Sequence, residues 1–105
     1  MDELTINTAY SILAEKKQAL ADKAEKVIEF TYKLETKKAV ALQDGTIEGK
    51  NAEIRDAVAR EFLKIEYDDL KLAEYDESVA RVEFDIAQFE VSRVQALLRL
   101  AEVLK

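Results

Sequence analysis

Chemistry in this chain would have to start from three serines, a glycine-flanked turn and a run of carboxylates. Ser11, Ser78 and Ser92 are the serine nucleophiles on offer, but no His and no Cys is present to serve as base, thiolate or soft metal ligand. The turn reads Gly45-Thr46-Ile47-Glu48-Gly49-Lys50-Asn51. A phosphate-binding loop needs four residues between its glycines, a hydroxyl residue after the lysine, and a strand before it. Here the spacing is short, Asn51 replaces the hydroxyl residue, and a helical pattern precedes. Asp44, Thr46 and Glu48 alternate somewhat as calcium-loop ligands do, yet the twelfth position counted from Asp44 lacks the bidentate Glu such a loop requires. Ordinary helix-stop and helix-start roles account for every residue of this turn. Neither catalysis nor a cofactor or metal site is expected.

The carboxylates invite a binding role instead. Asp69, Asp76, Glu83 and Glu90 recur at seven-residue spacing and form an acidic face along one helix edge. Lys16, Lys23 and Lys37 line an edge of the preceding helix. Opposed flanking charges of this kind set register in coiled coils. The sharper alternative is an acidic, DNA-mimicking rod that inhibits a nucleic-acid-processing or host-defence enzyme.

Two long helices must carry these residues. Ile6, Leu13, Leu20, Val27, Leu34 and Ala41 repeat every seven residues, with Tyr10, Lys17, Ala24, Thr31 and Lys38 in the alternate row. That 3-4 spacing predicts a coiled-coil-like helix over about 5–43, capped by Thr5 or Asn7. Gly45 suits a helix stop, Asn51 a new N-cap, and Glu53 the first turn that follows. A second helix is expected over about 51–104. Its seam toward the first helix is assigned to Val58, Ile65, Leu72, Val79, Ile86 and Leu100, with Tyr75, Val82, Phe89, Ala96 and Val103. Asp68 and Arg93 interrupt these rows. A reversal near Asp76-Glu77-Ser78, giving three helices, is the alternative.

Lengths of about 57 Å and 80 Å follow from the helical rise. Folding about the 44–50 turn sets residue 42 against about 52 and residue 5 against about 89, leaving residues 90–105 unpartnered. That overhang is rich in Val and Leu, and exposed apolar surface marks interfaces. Leu63, Leu70, Phe84, Val91 and Leu98 form a further seven-residue stripe, widened by Tyr67, Ala73, Ala80 and Ala87, on the opposite face of the second helix. A helix apolar on two faces is sandwiched between partners. The expected architecture is therefore all-α: a single domain over residues 1–105, an antiparallel helical hairpin dimerising into a four-helix bundle. The self-association surface is expected at Leu63, Leu70, Phe84, Val91, Val94, Leu97, Leu98 and Leu104.

Net charge is −6, and the imbalance lies in the second half. An acidic chain is a poor partner for phosphate backbones, which are bound through Lys and Arg. Nucleic acid is thus not expected as a partner, although a nucleic-acid-binding accessory of recombination or replication using the Lys-rich first helix stays as a further alternative. No apolar run is long enough to span a membrane, and Met1-Asp2-Glu3-Leu4 has no signal-peptide pattern. A cytoplasmic location is expected.

The segment Leu42-Gln43-Asp44-Gly45-Thr46-Ile47-Glu48-Gly49-Lys50-Asn51-Ala52-Glu53-Ile54-Arg55-Asp56-Ala57 is similar to a stretch in small helical-hairpin proteins of bacteriophages and prophages. There a long helix leads through a glycine and an Asn-Ala-Glu-x-Arg turn into a second long helix. The resemblance implies a phage-type accessory factor that acts in a bacterial host cell by binding a protein. It carries over no catalytic residue.

Overall fold

A computed structural model describes residues 2–104; Met1 and Lys105 lie outside the described residues. The described chain is helical, with no strand: α1 spans Glu3–Gln43, α2 spans Ala52–Phe62 and α3 spans Lys64–Val103. Asp2, rather than Thr5 or Asn7, caps α1: its carboxylate accepts the Thr5 amide N–H at 2.8 Å. Asp44 closes the other end, accepting from the Thr46 N–H at 2.9 Å and the Thr46 hydroxyl at 2.6 Å. Gly45 takes φ +83°, a left-handed value that costs an L-residue its Cβ clearance. The Asn51 side chain accepts from the Ile54 N–H at 2.9 Å and starts α2. At Gly49 the reason for glycine is space: a Cβ there would sit 2.7 Å from Ile54 Cγ2 and 3.1 Å from the Arg55 nitrogen.

The second helix expected over 51–104 is divided at Leu63, where φ −106° and ψ 32° leave the helical basin. No Gly or Pro marks the break. It strands no backbone group, because the Leu63 N–H still donates to the Ala59 carbonyl at 2.8 Å and the Leu63 carbonyl accepts from the Tyr67 N–H at 2.9 Å. Residues 76–78, where a reversal was the alternative, lie within unbroken α3.

The chain divides into two compact units. Unit 2 comprises Ala24–Asp76. Its core is Leu34, Ala41, Ile47, Ala59 and Leu63, with Val58, Tyr67 and Leu70 packed against it. Ala59 is fully buried, and Ile47 brings an apolar side chain from the turn itself into the core. The neighbours Lys37 and Lys38 of α1 pair with Glu66 at 2.7 Å and Asp56 at 3.5 Å, partners ten residues apart on either side of Leu63. Lys38–Asp56 fits the expected register; Lys37–Glu66 does not. Across Leu63 the return strand of the pairing therefore slips by several residues.

Unit 1 comprises Met1–Lys23 and Glu77–Lys105. Here α1 and α3 run antiparallel: the Gln95 side-chain amide donates to the Tyr10 hydroxyl at 2.8 Å, and Lys16 pairs with Glu83 at 3.3 Å. Ala9, Val91 and Val94 form the core, joined by Ile6, Leu13 and Leu98. The overhang expected over residues 90–105 is thus corrected. Residue 95 meets residue 10, where the simple fold-back had set residue 89 opposite residue 5. The seven-residue seam of α1 is as read, since Ile6, Leu13, Leu20, Val27, Leu34 and Ala41 are all buried or half-buried.

Candidate assembly surface

The residues expected to form the self-association surface divide sharply. Leu63, Val91 and Val94 are 3%, 6% and 0% exposed and belong to the intrachain cores. Leu70 and Leu98 are half-buried against those same cores. Phe84 is also half-buried. Leu97 and Leu104 are exposed, at 38% and 77%. Of the stripe of Leu63, Leu70, Phe84, Val91 and Leu98, Leu63 and Val91 are therefore corrected as assembly residues, since they lie in cores shared with α1, and Leu70 and Leu98 pack against those cores. Ala73, Ala80 and Ala87 are buried as well.

Of the seam expected to meet α1, Val58 packs against the unit 2 core, whereas the large α3 members are left outside. In unit 1, α3 exposes Val79, Val82, Ile86, Phe89, Leu100 and Val103 at 40–81%. In unit 2, Ile65, Leu72 and Tyr75 of α3 are exposed as well. Two apolar faces do exist on this helix, but their assignments are exchanged. Alanine explains the exchange. Small side chains at seven-residue spacing let two helix backbones approach closely, so the alanine-bearing face packs inward and the bulkier one is left to solvent.

The unit 1 face is also laterally extended. Ile12 of α1, 41% exposed, lies beside Ile86 and Ala87 in a groove bordered by Lys16, Glu83 and Glu90. The six large α3 side chains together expose on the order of 600 Å², the top of the range for the largest apolar patch on a monomer. A second apolar recess lies in unit 2, where Val40 and Phe62 flank Leu63 below the Lys37–Glu66 pair.

The acidic row is less free than its spacing suggests. Glu83 is paired with Lys16, and Glu90 accepts two bonds from the Arg93 guanidinium at 3.0 and 2.6 Å. Asp76 is half-buried, and Asp69 is exposed. Hydrogen bonding from Arg93 holds the Glu90 carboxyl below its ordinary pKa, and Lys37 does the same for Glu66. Thr5 and Thr46 lower Asp2 and Asp44 in the same way. A depressed folded-state pKa adds stability above the ordinary carboxylate value and loses it as pH falls through the folded value. The thermal midpoint should therefore be flat between about pH 6 and 8, where no histidine titrates, and should fall between about pH 5 and 3. Calorimetry across that range checks it; a midpoint rising on acidification would contradict these hydrogen bonds.

Among the described residues no group of three or more Asp or Glu side chains is placed to hold a metal ion, and no helix is long and apolar enough to cross a membrane. Comparison with family models, with characterised proteins and with solved structures finds no match to this chain.

Proposed function

We propose that this protein is a non-catalytic, self-associating helical module that works by binding a protein partner, as a phage-type accessory factor. The observation that carries the reading is the outer face of α3 in unit 1, where six large apolar side chains lie in two helical rows and are 40–81% exposed. Leaving such side chains in water forgoes about 1.5–3 kcal/mol for each one that a partner could bury. Partnered carboxylates at Glu83 and Glu90 favour this reading over an acidic DNA mimic. The phage-type role leans on the resemblance of residues 42–57 alone.

The test separates surface from core. Ile86→Glu with Phe89→Glu should convert the associated protein to monomer across a concentration series in sedimentation or light scattering, while circular dichroism keeps its helical signal. A wild-type chain that remains monomeric at high concentration would sink the self-association.

A further inference from the structure

The outer face of α3 in unit 1 has polar edges as well as an apolar middle. One row holds Val79, Ile86, Arg93 and Leu100, and the next holds Val82, Phe89, Ala96 and Val103. Along one edge run Asp85, Ser92 and Arg99, all exposed and spaced by seven. Along the other run Glu83, Glu90 and Leu97. Glu83 and Glu90 are engaged by Lys16 and Arg93 within the chain. Asp85 and Arg99 have no partner among the described residues. They are opposite in sign, lie about 21 Å apart along the helix, and flank the small Ser92 symmetrically.

We infer that the occupant of this face is a second copy of the chain, laid antiparallel with a two-fold axis beside Ser92. The inference rests on the self-association proposed above and adds partner, direction and register. A two-fold interface makes every pairing twice. In this register Asp85 meets Arg99 of the second copy, and Arg99 meets its Asp85. Val79 lies opposite Val103, Val82 opposite Leu100, and Ile86 opposite Ala96. Arg93, which interrupts the apolar row, falls over the Phe89 ring of the second copy, where a guanidinium is attracted to the aromatic face. Glu90 already orients that guanidinium with two hydrogen bonds. The parallel alternative stacks Arg93 on Arg93, sets Asp85 beside Glu90 and gives Arg99 no opposite charge; the antiparallel register brings the two Glu90 carboxylates near the axis, but each is already paired with its own Arg93. The apolar area is sufficient: about 600 Å² of large side chains with the charged edges approaches the ~800 Å² that each partner gives a standard interface.

Because the chain has no cysteine, single thiols report the direction. Full-length Val82→Cys and Leu100→Cys chains, mixed and mildly oxidised, should give mainly the mixed 82–100 disulfide by mass spectrometry. Predominant 82–82 and 100–100 products would overturn the antiparallel register while leaving self-association intact. A monomer that forms no covalent dimer in any mixture would overturn both. Charge reversal gives a readout that does not depend on the core. Asp85→Arg and Arg99→Asp should each weaken the dimer by about tenfold, whereas the two together in one chain should restore most of it. A double variant as weak as either single one would overturn the register.

Discussion

Val94→Asp should unfold unit 1, whereas Phe89→Asp, less than two turns away on the same helix, should leave its helicity in place. Val94 is 0% exposed and packs with Ala9 and Val91; Phe89 is 74% exposed. An unpaired carboxylate in the first position has no hydrogen-bond partner and no water, a cost of about 4 kcal/mol or more. That is most of the stability of a small domain. The second position, exposed in the chain, keeps its charge in solvent. Denaturant melts followed by circular dichroism distinguish the two. Equal destabilisation by both would mean that the faces of α3 are not divided as described.

The second large effect lies in the turn. Ile47 is 2% exposed, and its N–H donates to the Ala41 carbonyl at 3.0 Å, so the side chain is delivered into the core of unit 2. Ile47→Ala should lower stability by about 2–5 kcal/mol, the range for truncating a buried branched residue. Thr46→Ala removes only the hydroxyl bond to Asp44, leaving the backbone N–H bond in place, and should cost about 1 kcal/mol. A turn residue outweighing its polar neighbour in this way is checked by the shift in the urea midpoint. An unchanged midpoint for Ile47→Ala would place that side chain outside the core.

Much of this architecture is legible in the residue pattern, and the failures have physical causes. The α1 seam is readable because its apolar residues recur every seven positions without a gap from Ile6 to Ala41. Asn51 as an N-cap is readable from its type and place. The α3 faces are misread because both are apolar at seven-residue spacing, so periodicity alone does not say which one meets α1. The alanines at 73, 80 and 87 hold the deciding signal, since in a tight helix pair the inner position goes to whichever side chain is small enough. The slip of register across Leu63 has no breaker residue to announce it. It arises because Leu63 turns into the core while its backbone hydrogen bonds are kept. Ile47 could have been found: it is the one large apolar residue in a polar turn, and such isolation points to a buried anchor.

The two units also differ in how far apart along the chain their partners lie. The pairing of Lys38 with Asp56 spans 18 residues, and the bond of Gln95 to Tyr10 spans 85. Closing the longer loop from a coil costs about 1.4 kcal/mol more in chain entropy, and distant pairings slow folding. Unit 2, which contains the turn, should therefore fold first, and unit 1 should close afterwards. On a ribosome the N-terminal half of α1 has to wait, unpaired, until the last quarter of the chain has emerged. For that interval the Ile6, Ala9 and Leu13 side of α1 is open to chaperones and proteases, although in the finished protein it is covered.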